Sequence, residues 1–304
     1  MALTLLEASK AVQDPLRSGV IEEFARQSDL LNAMTFMDIP GAAYAYNRQK
    51  KLPGISFRGV NEAYSESTGI INPQVETLKI VGGDLDVDKF IMATMPERRS
   101  IEEAMQLTAI VQTAERAFIK GDSESSGGRD PDGMQKRLTG SQLIENAANG
   151  GALSLNKLDE VYDAVKNPTA WIMNKAMRRR LTQASRNSSI GGFITYEQDA
   201  FGRPVAMYAD LPILVIDDDD REVAVLPFDE VQGNTSNNTS IYCVSIADGH
   251  LEGIQNGGIN VTDLGEIDDK PVMRTRVEWY CGFCLLHGRS AARLAGVQNL
   301  AVVI

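Results

Sequence analysis

The chain has 304 residues, 43% of them hydrophobic and 23% charged, an ordinary globular composition for one large domain or two moderate ones. A formal net charge of −11 argues against a nucleic-acid reader with a basic face, and no run of about 18 apolar residues suggests a membrane span. Three cysteines, and an N-terminus (MALTLLEASK) that does not read as a signal peptide, argue against a disulfide framework and for a reducing cytoplasm.

Asp14 followed by Pro15 reads as a cap and first helical residue, and Leu16, Val20, Ile21 and Phe24 continue at helical spacing to about Leu31. A basic stretch punctuated by Gly and Pro follows, Ile39 to Asn61, with turns at Pro40-Gly41 and Pro53-Gly54. Ile55 and Phe57 alternate with polar residues there, as in a two-stranded arm without a core of its own. Such a projection exists to touch something else. Val75 to Val81 and Leu85 to Phe90 read as strands around Gly82-Gly83. Ser100 and Glu103 form a capping box for a helix of about 20 residues, roughly 30 Å long. Its expected apolar stripe is Ile101, Ala104, Met105, Thr108, Val111, Ala114 and Phe118, with Gly121 as the stop.

Asp122 to Asp132 is a polar surface loop by composition. Ser154 opens a second helix bearing Leu155, Leu158, Val161, Tyr162 and Val165 on one face, and Asn167-Pro168 ends it. A strand Ala170 to Met173 leads to Asn174, a cap for a helix to about Ala184. The remainder reads as strands: Pro204 to Tyr208, Ile213 to Ile216, Ile241 to Ile246 and Thr275 to Leu286.

Charge is unevenly spread. Arg48, Lys50, Lys51 and Arg58 meet no acidic residue until Glu62, while Asp217 to Glu230 carries seven acids against Arg221. That asymmetry suits a subunit meeting copies of itself, although solvated charge alone also accounts for it.

Catalytic and metal motifs are poorly supplied. Cys281-Gly-Phe-Cys284 with His287 has the look of a redox pair or half a zinc site. Its surroundings read as one strand, however, in which residues three apart point to opposite faces, so buried core cysteines are expected. Asp84, Asp86 and Asp88 imitate a calcium loop, but Lys89 and Met95 stand where Gly and Glu are needed. A strand with one wet face is expected instead. Asp217 to Asp220 reads as a solvated loop, and Arg178 to Arg180, spread around a helix, as a solvated face. With two histidines and no phosphate-binding or nucleophile-elbow motif, no catalytic residue, metal or cofactor is expected.

The order of these elements resembles the Hong Kong 97-type major capsid protein of tailed bacteriophages. Phe118-Ile-Lys-Gly-Asp122 with Asp132-Gly133-Met134 resembles a "GD…DGL" passage of that family. Leu155 to Asp163, Pro168 to Lys175, Phe201 to Val205, and Arg274 to Leu294 resemble segments that follow it. The resemblance implies an α+β capsid fold divided as an N-terminal arm (1–42), an extended loop (43–74), a peripheral domain (75–150) with a spine helix (100–120), an axial domain (151–270) and a return strand (271–304).

It further implies a non-enzymatic subunit forming pentamers and hexamers of an icosahedral shell around double-stranded DNA held non-specifically. Scaffolding and portal proteins would be its partners, with room for a decoration protein, and assembly would take place in the bacterial host cytoplasm. Arg48, Lys50, Lys51, Phe57 and Arg58 are the expected intersubunit contacts of the loop. Some family members crosslink a loop lysine, but no asparagine or glutamate could be matched here, so no crosslink is expected. The family's long N-terminal scaffolding region is expected to be absent, either cleaved away or replaced by a separate scaffold, and Met1 favours the second. An encapsulin-like compartment shell is the alternative, and a thiol-redox or zinc protein built on Cys281 and Cys284 a remote one.

Overall fold

The computed structural model describes residues 3–4, 28–95, 97–186, 194–198, 204–216 and 224–303. In chain order these form Leu3–Thr4 (β1), the short helix Asp29–Ala33 (α1), Thr35–Asp38 (β2), and the two arms of a hairpin, Ala43–Lys51 (β3) and Ile70–Thr77 (β4). Lys79–Asp88 (β5), Lys89–Thr94 (α2), the long helix Arg98–Lys120 (α3), Met134–Arg137 (α4) and Leu143–Glu145 (β6) follow. Next come Leu155–Ala164 (α5), Ala170–Asn174 (β7), Lys175–Ala184 (α6), Ile194–Gln198 (β8), Pro204–Tyr208 (β9) and Leu211–Ile216 (β10). Glu230–Gln232 (β11), Thr235–Val244 (β12), Leu251–Ile267 (β13), Lys270–Leu285 (β14) and Ala291–Val297 (β15) complete the chain.

Two sheets organise the molecule. One has the order β1-β2-β13-β14-β5, with α3 packed against it. The other runs β6-β15-β12-β7-β10-β9-β8, with β11 beside β12. A single core joins them: Val111, Ala114 and Phe118 of α3 meet Val277, Trp279 and Phe283 of β14 and the back of the second sheet through Ile172 and Tyr242. Phe118 meets Phe283 edge-on at 4.7 Å, and Phe36 lies 5.3 Å from Trp279. On the front of the second sheet, Leu158 and Val161 of α5 and Met177 and Leu181 of α6 close over Trp171, Met173, Ile241 and Cys243. Period 2 in β7 sends Trp171 and Met173 into one core and Ala170 and Ile172 into the other.

Several local expectations hold. Asn174 caps α6, its side chain accepting from the Met177 amide at 2.8 Å, and α5 buries Leu155, Leu158 and Val161. Asp84 and Asp86 lie on the outer face of β5, directly opposite Arg276 and Arg274, and each carboxylate is gripped by its arginine at 2.5–2.8 Å.

Others are corrected. Ser28 is extended and caps α1, so no helix runs unbroken to Leu31; residues 5–27, where that helix was expected to begin, lie outside the described residues. Asp217 to Asp220 lie outside them too, as do residues 201–203. β5 passes straight through Gly82-Gly83, and Phe90 belongs to α2, because Asp88 accepts from its amide at 2.7 Å and starts a helix. Ser100 is not a cap. The long helix starts at Arg98, and Glu103 is bound instead by Arg99 at 3.1 Å and by the Thr275 hydroxyl at 3.1 Å. The first half of the expected stripe is exposed, Ile101 by 49% and Met105 by 60%.

Gly121 follows the last residue of α3, and the close approach of the chain there admits only glycine: a Cβ would fall 2.2 Å from the Pro131 carbonyl oxygen. The strand Leu251–Ile267 escaped sequence reading altogether. Its Gly257-Gly258 pair, both at positive φ, looks like a turn but forms a bulge between Gln255 and Ile259 within a continuous strand.

Candidate assembly surfaces

The hairpin β3–β4 is antiparallel, with Ala43 opposite Thr77 and Arg48 opposite Asn72. At its base the inward face carries Tyr44 and Tyr46, stacked at 5.9 Å. Both pack on a small core of Ile39, Ile254 and Cys284, beside Leu286. Arg137 then clamps the returning strand through a two-pronged pair with Glu76, at 2.5 and 2.8 Å, with both side chains less than a fifth exposed. Partial burial and the Glu76 charge push the Tyr46 phenol up to about 12.

Beyond this anchor the chain makes a long loop, residues 52–69, whose apolar side chains have nothing to bury against among the described residues. Ile55 and Val60 are each 93% exposed and Phe57 is fully exposed, with Leu52 and Tyr64 at 70%. Local bonds shape the loop among the described residues. The Gly54 amide donates to Ser67 Oγ at 2.7 Å, the Gly59 amide to Glu62 Oε2 at 2.8 Å, and Arg58 Nη1 to the Glu62 carbonyl at 3.0 Å. The Arg58 guanidinium also lies over the Tyr64 ring, 4.9 Å from its centroid.

The structure therefore separates the residues singled out from sequence. Phe57 and Arg58 sit together in the loop, Lys51 is exposed at the end of β3, and Arg48 is half-buried near the base, on the same face as Tyr44 and Tyr46. Only the strand position of Lys50, opposite no ladder partner, is described. Sequence reading passed over Leu52, Val60 and Tyr64. It also passed over a second apolar surface where α2 meets α3: Phe90 is 74% exposed and Met95 62%, beside Ile101 and Met105. The available signal was apolar residues with no partner at any regular spacing.

The cysteines do not make a site. Cys281 lies in the main core and Cys284 in the small core on the opposite face of β14. Burial pushes both thiols up to about 12. The Cys284 thiol donates to the Glu252 carbonyl at 3.4 Å. Among the described residues no cluster of three or more His, Cys, Asp or Glu could hold a metal ion.

The "GD…DG" passage is a structural staple. The Gly133 amide donates to the Gly121 carbonyl at 2.8 Å, and Asp132 accepts from the Ser123 amide and hydroxyl at 2.9 and 2.7 Å. Lys136 binds Asp122 and Asp132 at 2.6 and 3.1 Å. These donors hold the Asp132 carboxyl down to about 2 despite its partial burial.

Comparison with solved structures decides what this arrangement is. The chain superposes on the SrpI encapsulin of Synechococcus elongatus PCC 7942 at a TM-score of 0.65 and 18% identity, covering 90% of this chain and 89% of that one. It matches the capsid of a native GTA particle at 0.65 and 13%, covering 89% and 90%, and a Mycobacterium phage Adephagia chain at 0.61 and 12%, covering 90% of both. The chain has the Hong Kong 97-type capsid fold. In this Hong Kong 97-type chain the long helix packs on the main core, while the apolar side chains of the hairpin loop stand exposed. No protein-family model and no curated protein sequence matches the chain.

Proposed function

We propose that this chain is the major capsid protein of a tailed bacteriophage, a non-enzymatic subunit forming the pentamers and hexamers of an icosahedral shell around double-stranded DNA. The observation that carries the reading is the loop 52–69: five large apolar side chains held out on a hairpin by local bonds, with no core of their own. Contiguous exposed apolar surface of this kind marks a protein–protein contact. In this reading residues 1–42 are an N-terminal arm, 43–74 the extended loop, 75–150 a peripheral domain, 151–270 an axial domain and 271–304 the return strand. The loop lies over a neighbouring subunit, with Phe57 as its apolar anchor and Lys50, Lys51 and Arg58 meeting acidic groups, in keeping with the −11 net charge of the partner copy. Weak, non-specific contact with DNA suits a container, since strong phosphate binding resists both packaging and ejection. Scaffolding and portal proteins are the partners such a shell requires.

An encapsulin-type compartment is the second reading, favoured by the likeness to the SrpI shell. Electron microscopy of the purified protein, expressed alone and with its genomic neighbours, tests both. Closed shells or rings of five and six subunits support the assembly role; DNA and a portal inside favour the phage, and a copurifying enzyme favours the compartment. A monomer or dimer under every condition rules out both.

A further inference from the structure

The only two histidines of the chain, His250 and His287, pack against each other with ring centroids 5.4 Å apart. They come from two turns that backbone bonds tie together. The Leu286 amide donates to the His250 carbonyl at 2.8 Å, and the Lys166 amide donates to the Arg289 carbonyl at 2.9 Å. Arg289 is itself fixed, its Nε donating to the Ala164 carbonyl at 2.9 Å and its Nη2 to the Asp163 carbonyl at 2.5 Å. Arg48 approaches from the hairpin. It follows Tyr46 on the inward face of β3, and Tyr46 already packs beside Leu286, the residue before His287.

Four cationic or protonatable groups, Lys166, His250, Arg289 and Arg48, lie near enough to His287 to disfavour its protonation. None of these four groups is a carboxylate. Asp248 and Glu252, close to His250 in sequence, interact with each other, and Glu252 also accepts from the Gly249 amide. Arg48 has no ion-pair partner among the described residues, and its Nε and His250 Nδ1 are both buried without a hydrogen-bond partner. His287 Nδ1 accepts from the Arg289 amide at 3.0 Å, which leaves its Nε2 as a donor. So much unneutralised positive charge is out of keeping with an acidic chain.

We infer that this cluster binds an oxyanion of the phosphate class, held between Arg48 of the hairpin and the turn residues Lys166, His287 and Arg289. A tetrahedral dianion offers enough acceptors for a guanidinium, an ammonium and an imidazole at once. Bound there, it neutralises repulsion between the hairpin and the body and fixes the angle at which the hairpin leaves. The inference does not depend on shell assembly.

The test uses the full-length chain and inorganic phosphate, with sodium chloride at matched ionic strength as control. Phosphate is expected to raise the melting temperature where chloride does not, and to bind by calorimetry. The Lys166→Gln/His287→Gln variant is expected to lose at least tenfold in phosphate affinity. Arg48→Gln, on the hairpin and outside both large cores, is expected to lose affinity too, and supplies the test if the double variant folds poorly. A short DNA duplex that competes with phosphate would identify a polynucleotide backbone as the source of the anion. Phosphate binding without competition would identify a free anion. A phosphate effect no larger than that of chloride, or one that persists in these variants, overturns the inference.

Discussion

Cys281 and Cys284 stand three residues apart on β14 and belong to different cores, so their spacing reports strand geometry and not chemistry. With all three cysteines buried, the native protein is expected to react with no thiol reagent at pH 8, and the denatured protein with three equivalents. Any fast native thiol would contradict the packing. His287 makes a second residue-scale prediction. Burial and its cationic neighbours hold it below the usual 6.5, so in the unfolded chain it binds a proton that the folded chain refuses. Stability therefore falls as pH drops from about 6.5 through the folded value. Asp132, held down to about 2, acts lower: its contribution is present above the unfolded value of 3.8 and lost as pH falls toward 2. Acid unfolding should show both windows, and His287→Gln should remove only the upper one.

At the scale of elements, α3 illustrates how a correct helix can be misread in its packing. Sequence periodicity located it to within two residues of its start, yet half of the expected stripe is exposed, because among the described residues no other element covers Ile101 and Met105. Strand β13 shows the opposite failure. Its glycines resemble turn signals, but Gly253 is there for close approach: a Cβ would lie 2.3 Å from the Phe36 ring, across the parallel pairing of β13 with β2. Gly253→Ala is expected to cost about 1–3 kcal/mol in a denaturant titration, through displacement of that ring. The clamp on the hairpin is equally specific. Glu76→Ala leaves Arg137 largely buried without its partner and is expected to destabilise the protein by about 2–3 kcal/mol. It should also speed proteolytic cleavage within residues 43–77. Unchanged cleavage would mean that the small core alone holds the hairpin.

For the whole molecule, stability and assembly should come apart. The loop side chains Ile55 and Phe57 contribute nothing to the folded subunit, being almost wholly exposed. An Ile55→Asp/Phe57→Asp variant is expected to keep its subunit stability within about 0.5 kcal/mol, as surface changes do, while losing closed shells in electron micrographs. Shells of normal yield from that variant would move the contact to the apolar corner of Phe90, Met95 and Met105, where the same paired measurement applies.

Much of this architecture was legible in the chain. Capping at Asn174, the apolar face of α5, the wet face of β5 and the two-faced Cys281-x-x-Cys284 strand all follow from periodicities of 3.6 and 2, which act over a few residues. The order of elements was enough to suggest the capsid fold that the solved structures then showed. Only the tertiary structure decided which apolar residues are left exposed, and that both histidines meet near a hairpin arginine and a lysine. Exposure depends on what else covers a surface, and residues 48, 166, 250 and 287 are brought near one another by packing of the hairpin on the body and by bonds between turns distant in sequence. No local pattern carries either kind of information.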